Sequence, residues 1–501
     1  MKIHTAGSHL MDRRGAEVED WSLRATARRA RVLGRLARPY TGRVALGIAA
    51  LLAATGSALA PPYLLKIAID DGIRGGDLTK LGWIVALFAG AGVVNLATSY
   101  AQTYYTGWTG ERILADMRND LFRHLQRLSL GFYERNRAGV IISRITNDVE
   151  AIDQLVTDGV TSLVQNTLTL LGTMALLFWL DWRLALATLA VMPLMAGSTA
   201  WFRKHSARAY REVRETLGAV TATLAEDISG MRMIQSFTRE PRNEAAFRRV
   251  AETYRDANQR TVFLNGVYFP FVDLLSSAAS AIVLGYGGWL VFHGQMTIGT
   301  LTAFLFYLAN FFDPVQQLSQ LYGQFLSAVA ALDKIIGVLE QKPEVTDAAG
   351  AQPLPRVEGH VHFDDVRFAY GRGPEVLHGI ELDVPAGTTV ALVGHTGAGK
   401  STIAKLLARF YDPTQGSISI DGTDLREVRQ ESLRRQLGIV PQEGFLFAGT
   451  VRDNVAFGRS DATEAEIHAA ARAVGADEFV ERLEDGWETQ LQERGTRLSL
   501  G

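Results

Sequence analysis

The sequence has no cysteine. That absence removes disulfides, thiolate metal sites, iron–sulfur clusters and cysteine nucleophiles together. It leaves the redox compartment undecided. An excess of charge is missing as well. The 51 Lys and Arg face 53 Asp and Glu, a formal net charge of −2. No overall basic field is available to hold nucleic acid, and no nucleic-acid partner is expected. Charged residues are only 21% of the chain. Hydrophobic residues are 47% of it, which excludes a disordered or collagen-like chain. The 501 residues are enough for about three or four ordinary domains by length alone.

The apolar residues are unevenly spread. Nearly all the long runs lie before residue 335 or so: Val44–Leu65, Leu81–Tyr100, Val160–Leu180, Leu184–Trp201, Phe263–Val291 and Ile298–Phe312. A helix crosses a bilayer with ~20 apolar residues, and each run approaches or exceeds that. Core helices of a soluble protein would carry a polar stripe, and Ala185–Ala200 has almost none. The connectors alternate. Asp70–Lys80, Asp181–Arg183 and His293–Thr297 are short, whereas Gly107–Gly159 and Arg203–Thr261 are long and carry the arginines. The positive-inside bias places both long connectors, and with an even number of spans both termini, in the cytoplasm. A multi-pass protein of the cytoplasmic (inner) membrane is expected, in contact with membrane lipid. No signal peptide is visible. Arg24–Arg43 reads as a basic amphipathic helix lying on the cytoplasmic leaflet.

The long connectors have few Gly or Pro and keep a helical period, as at Ile113, Met117, Leu121, Leu125 and Leu128. The spans are therefore expected to continue as helices into the cytoplasm. They turn near Phe132–Gly139 and near Ile228–Met231, where they can carry motion from a cytoplasmic motor.

Gln341–Gly359 is rich in Pro, Ala and Gly without periodicity, which reads as a linker. Beyond it, His360–Phe368 alternates like a strand, with Val361, Phe363 and Val366 on its inner face. Thr388–Val393 reads as a buried strand. The sharpest motif follows: Gly394, His395, Thr396, Gly397, Ala398, Gly399, Lys400 and Ser401 fit G-x-x-x-x-G-K-[ST]. Its glycines let backbone N–H groups wrap a phosphate. Lys400 supplies charge to the β- and γ-phosphates, and Ser401 can ligate Mg²⁺. The helix over Ile403–Phe410 points its N-terminus at the anion. Thr463 with Glu466 reads as a capping box opening a helical stretch over Asp461–Leu483.

A soluble P-loop enzyme would carry the same loop, but not the six spans. Loop and spans together resemble a half-size ATP-binding cassette exporter, a likeness that runs from about Arg38 to Gly501. The resemblance implies the fold class: an all-α six-span transmembrane domain with long cytoplasmic helical extensions, then an α/β P-loop nucleotide-binding domain that is C-terminally incomplete. It divides the chain into a basic lead over 1–37, a membrane domain over 38–335, a linker over 336–358 and a nucleotide domain over 359–501. ATP and Mg²⁺ are the implied cofactors. By the same resemblance Tyr370 stacks on adenine, and Thr402 follows the phosphate loop in the cofactor site. Gln442, in Val440–Glu443, reaches Mg²⁺ and the attacking water. Glu493–Gly495 touches the partner's coupling turns, and Gly139–Val149 matches the segment after the first turn.

Leu498–Gly501 resembles the start of the signature motif, with Leu500 where the family usually has glycine. Ser499 there would meet the partner's γ-phosphate. The acidic Mg²⁺-binding strand end, catalytic glutamate and switch histidine that the family carries further on are not in these 501 residues. The implied function is ATP-driven export or flipping of a hydrophobic or amphipathic small molecule or lipid, as one half of a homodimer or heterodimer. The alternative is a catalytically inactive or regulatory ATP-binding half. Within the spans, Asp273 and Asp313 are carboxylates where ionisable groups are costly. They either line a cavity that favours cationic amphiphiles or serve helix packing.

Overall fold

The computed structural model describes residues 23–442 and 444–491. The lead before residue 23, Glu443, the segment Glu493–Gly495 and Ser499 lie outside the described residues. The chain divides into two compact units, one of Met1–Leu128 with Phe132–Pro343, the other of Ser129–Gly131 with Glu344–Gly501.

Among the described residues, the regular structure of the first unit is helical. Its helices are α1 (Leu23–Ala37), α2 (Thr41–Ile67), α3 (Leu78–Arg127), α4 (Leu130–Arg135), α5 (Ala138–Ser143), α6 (Val149–Asp153), α7 (Val160–Leu180), α8 (Trp182–Leu189), α9 (Met192–Ser229), α10 (Met231–Ser236), α11 (Glu240–Phe292) and α12 (Ile298–Leu339). Among the described residues, six stretches are long and apolar enough to cross a membrane. They contain the runs read from the sequence. They also extend well past them: α3 has 50 residues, or ~75 Å at 1.5 Å per residue.

The helical period along the first arm buries what it was expected to bury. Leu114 and Met117 pack with Val149, Ile152, Leu332 and Ile335, and Leu121, Leu125 and Leu128 with Ile141 and Val338. The turns fall where glycine and polar residues interrupt the period, at α4–α5 and at Gly230 between α9 and α10. The main core joins α7, α8, α9, α11 and α12 around Leu184, Ala279, Val283, Phe304 and Tyr307. Helix α1 is tied to the end of α12 by side-chain pairs. The Arg29 guanidinium donates to Asp333 at 2.9 Å, and Arg28 to Glu340 at the same distance.

One contact at the opposite end of the bundle spans a long stretch of sequence. Asp70, in a π-helical turn after α2, accepts the Thr297 hydroxyl at 2.5 Å and the Gly299 N–H at 2.9 Å. A carboxylate thus caps the N-terminus of α12, where the helix dipole favours it. The approach needs glycine. A Cβ on Gly299 would sit 2.5 Å from the Lys66 carbonyl oxygen and 2.6 Å from the Asp70 carboxyl carbon. Gly299→Ala is therefore expected to push α2 and α12 apart and destabilise the bundle by about 1–3 kcal/mol, as overpacking does. The apparent unfolding temperature of the purified protein checks this. A variant as stable as the parent would show that the contact yields freely.

In the second unit, β1 (Val361–Ala369), β2 (Glu375–Val384), β3 (Gln415–Ile420) and β4 (Thr423–Asp424) form an antiparallel sheet in the order β2-β1-β3-β4. Strict alternation in β1 would place Phe363 and Val366 on opposite faces, yet both are buried. The register shifts between them, with Asp365 at φ +40°. This bulge re-aims the chain by one residue. A second, two-stranded antiparallel sheet pairs β5 (Gly449–Thr450) with β6 (Gln490–Leu491), and the helices of this unit are α13 (Lys400–Leu407), α14 (Gln430–Arg434), α15 (Val451–Val455), α16 (Glu464–Ala473) and α17 (Asp477–Val480). Within this unit the Val345 N–H donates to the Ser129 hydroxyl at 3.0 Å.

One expectation is corrected. Thr388–Val393 is not a buried strand: it pairs with no strand among the described residues, and Val393 is 93% exposed. A strand buried on both faces needs neighbours at both edges. The antiparallel sheet closes on its own hairpins and takes this segment into no ladder.

The capping box is present. The Glu466 carboxylate accepts the Thr463 N–H and hydroxyl, both at 2.8 Å, and Arg459 pairs with it. These bonds pull its pKa down to about 2 from an ordinary carboxylate value. A lowered folded-state pKa stabilises fully above the unfolded value and loses that contribution as pH falls toward 2. The stability difference between the parent and Glu466→Gln should thus be present at pH 6 and shrink from pH 5 toward pH 2. Thermal unfolding of both across that window measures it; a pH-independent difference would exclude the carboxylate as the cause.

Candidate functional site

The phosphate loop is built from its backbone upward. After the turn at Pro385 the chain runs extended to Gly394, bends through His395–Gly399 and enters α13 at Lys400. Gly397 and Gly399 have φ of +90° and +89°. A side chain at either position would be strained, and a Cβ on Gly399 would lie 2.6 Å from Leu377. The Ala398 N–H donates to the His395 carbonyl at 3.2 Å. Lys400 folds back over the loop, and its Nζ donates to the carbonyls of Gly394 at 2.7 Å and His395 at 2.9 Å. The loop thus closes around a lysine nitrogen with its outer surface exposed.

Thr396 and Ser401 are exposed, whereas Thr402 is buried. The Thr402 hydroxyl shares a hydrogen bond with the Tyr370 hydroxyl at 3.1 Å. That bond joins the end of β1 to the first turn of α13. Tyr370 is half-buried. Its ring meets Phe368 and Tyr411 edge-on at 4.8 and 5.2 Å, and Lys405 Nζ lies 5.6 Å from its centroid. Tyr370 is therefore both a core contact and an aromatic beside the loop. Lys405 was not singled out from the sequence; its place one turn after Ser401 on α13 is the signal that finds it.

Gln442 is exposed. Among the described residues no hydrogen bond links it to Lys400 or Ser401. No cluster of three His, Cys, Asp or Glu suited to a metal occurs among the described residues. The Ser401 hydroxyl, exposed at the start of α13, fits Mg²⁺ as a single oxygen ligand. That ion usually takes few protein ligands and draws the rest from phosphates and water.

The spans hold a second feature. A cavity of ≈300 Å³ lies between α2, α7 and α12, lined by Gln165, Asn166, Thr169, Asn310, Asp313 and Gln317 among others. Asp313 lines it. Asp273, on α11, does not. The expectation that the two act together on one cavity is not what the helices arrange: the wall opposite Asp313 is supplied by α7. Polar residues spaced three or four apart on otherwise apolar runs were the overlooked signal.

Comparison with known proteins identifies the class. Residues 44–315 match the family described as ABC transporter transmembrane region, and residues 377–501 match the ABC transporter family. An ATP-dependent lipid A-core flippase of Syntrophus aciditrophicus is 36% identical over 93% of this chain and 78% of its own. A multidrug efflux ATP-binding/permease protein of Mycobacterium bovis is 38% identical over 94% of this chain, which spans 39% of that longer protein. A bacterial Atm1-family ABC exporter solved with ATP bound superposes with a TM-score of 0.72 at 30% identity, covering 92% of this chain and 81% of that one. The chain belongs to the ABC transporter family. It is a multi-pass membrane protein with the exporter order of a half-transporter, its membrane region ahead of its nucleotide-binding region.

Proposed function

We propose that this chain is one half of a dimeric exporter that uses ATP to move a hydrophobic or amphipathic molecule, a drug-like compound or a lipid, across the cytoplasmic membrane. The observation that carries the reading is the phosphate loop closed around Lys400 in a chain that also has six spans. The relatives named for multidrug efflux and lipid A-core flipping support it. The arginine-rich connectors favour a topology with both termini in the cytoplasm.

The roles of the residues are those that the family resemblance implies. On nucleotide binding Lys400 exchanges its two loop carbonyls for phosphate oxygens, and the backbone of Gly394–Gly399 wraps the anion. Tyr370, buttressed by Phe368 and Tyr411, offers its remaining ring surface to adenine. Ser401 and Gln442 would hold Mg²⁺, which neutralises charge between the phosphates. Gln442 would also orient water for in-line attack, a reaction governed by positioning and charge. By the same resemblance, Ser499 of one half would meet the γ-phosphate held by the other. Inside-out vesicles containing the protein should accumulate an amphipathic dye with ATP and not with a non-hydrolysable analogue. Equal accumulation without nucleotide would overturn the reading.

A further inference from the structure

Arg43 stands at the start of the apolar run of α2 and Arg112 beyond that of α3, and both are exposed. Among the described residues neither pairs with a carboxylate. Both lie instead against one indole. The guanidinium carbon of Arg43 is 3.4 Å from the Trp108 ring centroid, and that of Arg112 is 5.2 Å from it. Tyr40 meets the same ring edge-on at 5.8 Å and gives its hydroxyl to Asp116 at 2.7 Å. Asp116, one turn beyond Arg112, is thus engaged by a phenol, and Glu111, beside Arg112, pairs with neither arginine among the described residues. A guanidinium against an aromatic face keeps the N–H donors of its edge available, and their planar fork suits phosphate. From this cluster every fourth residue of α3 forms a ridge: Trp108, Tyr104, Tyr100 and Leu96. Beyond the half-buried Trp108 the ridge is exposed, and the two tyrosine rings stack at 6.3 Å. Trp108 to Leu96 rises ~18 Å along the helix, against about 15 Å for the hydrocarbon of one leaflet.

We propose that Arg43, Arg112 and Trp108 form a site for the phosphate of an anionic phospholipid, whose acyl chains lie along Tyr104, Tyr100 and Leu96. The site goes beyond the export reading and does not depend on it. Charge selects the head group, because two cations without a carboxylate favour a lipid of net negative charge. A choline or ethanolamine head would bring a third cation to the pair. The ridge selects a lipid over a free phosphate, since inorganic phosphate would leave the rings uncovered. Trp and Tyr settle at this depth, with the ring toward the apolar chains and the polar edge toward the head groups.

The test is displacement of a fluorescent phosphatidylglycerol from the full chain in maltoside micelles. The competitors are unlabelled phosphatidylglycerol, phosphatidylcholine and inorganic phosphate. Phosphatidylglycerol should compete at least about fivefold better than phosphatidylcholine, and inorganic phosphate should not compete at millimolar concentration. An arginine beside an anionic lipid contributes about fivefold. Arg43→Gln and Arg112→Gln should thus each weaken phosphatidylglycerol by about that factor, and the double variant by about twenty-fivefold, with the preference erased. Trp108→Leu leaves the charge unchanged and should still lose several-fold. Arg183→Gln, at an arginine that also adjoins a tryptophan, Trp182, should stay within about twofold. If the double variant does not fold, as judged by gel filtration, the single variants decide. Equal competition by the two lipids, displacement by inorganic phosphate, an unchanged affinity in the arginine variants or in Trp108→Leu, or an equal loss in Arg183→Gln would overturn the proposal. So would arginine variants that lose their dimer mass while keeping their lipid, since a second copy would then be what covers this face.

Discussion

Replacing Lys400 by methionine is expected to weaken ATP binding about a hundredfold and to abolish ATP-driven transport. Methionine keeps most of the side chain's length and removes its charge and donors. In the parent, Nζ holds the carbonyls of Gly394 and His395 at 2.7 and 2.9 Å, which keeps the loop curled in the absence of nucleotide. Two effects therefore fall together. Hydrogen bonds to a charged group are each worth about 1.5–3 kcal/mol, and phosphate takes more than one. The curled loop also loses its internal clamp and must be ordered at the moment of binding, which adds to the penalty. Equilibrium binding of a fluorescent ATP analogue to the full chain measures the sum. Binding within threefold of the parent would show that the backbone N–H groups carry the affinity alone. The loop belongs to the second unit, and the helical content and unfolding temperature of the variant should match the parent.

How much of this was legible beforehand depended on the range of the interaction. The spans are long uniform apolar runs, and the arms have a period that repeats over many turns. Ile113, Met117, Leu121, Leu125 and Leu128 could be placed on a buried face from spacing alone. The phosphate loop was readable because its glycines and lysine act within eight consecutive residues, Gly394 to Ser401. The capping box was readable for the same reason. The Asp70 cap on α12 was not, since it joins residues 229 apart through a glycine whose role shows only when the helices touch. Nor was the bulge at Asp365, which lets Phe363 and Val366 share a core against their alternation. Thr388–Val393 failed in the other direction. Its composition suits a buried strand, but burial belongs to neighbours, and none of the described strands adjoins it. Asp273 and Asp313 looked equivalent as carboxylates within apolar spans. Asp313 lines the cavity between α2, α7 and α12 and Asp273 does not, and a single sequence does not say which face of a span meets a cavity.

Arg409→Met should destabilise the nucleotide-binding unit by about 3–5 kcal/mol, the range for removing one member of a buried charged network. The Arg409 side chain is only 2% exposed. Its Nε donates to Asp412 at 3.2 Å, and its two terminal nitrogens reach the carbonyls of Val428 at 2.7 Å and Thr346 at 3.2 Å. One guanidinium thus joins the end of α13, the loop after β4 and the segment following the first unit. Its backbone sits at φ +50°, a strained value held by these bonds. Burial and the neighbouring Arg409 charge also push the Arg434 pKa below its usual value, a sign of how closely the two cations are packed. Methionine would fill much of the space while leaving Asp412 and the carbonyls of Val428, Thr346 and Arg426 without their donor. Lysine would keep the charge but not the planar fork, and should recover only part of the loss. Limited proteolysis tracks the second unit separately from the spans. Cleavage within residues 344–491 should appear at lower temperature in Arg409→Met than in Arg409→Lys, and in both before the parent. Equal resistance in all three would mean that water replaces the guanidinium at these carbonyls. The prediction bears on the phosphate loop as well, because α13 runs from Lys400 to the turn that Arg409 fixes. A loosened turn would let the helix fray from its far end and weaken nucleotide binding without touching a residue of the loop.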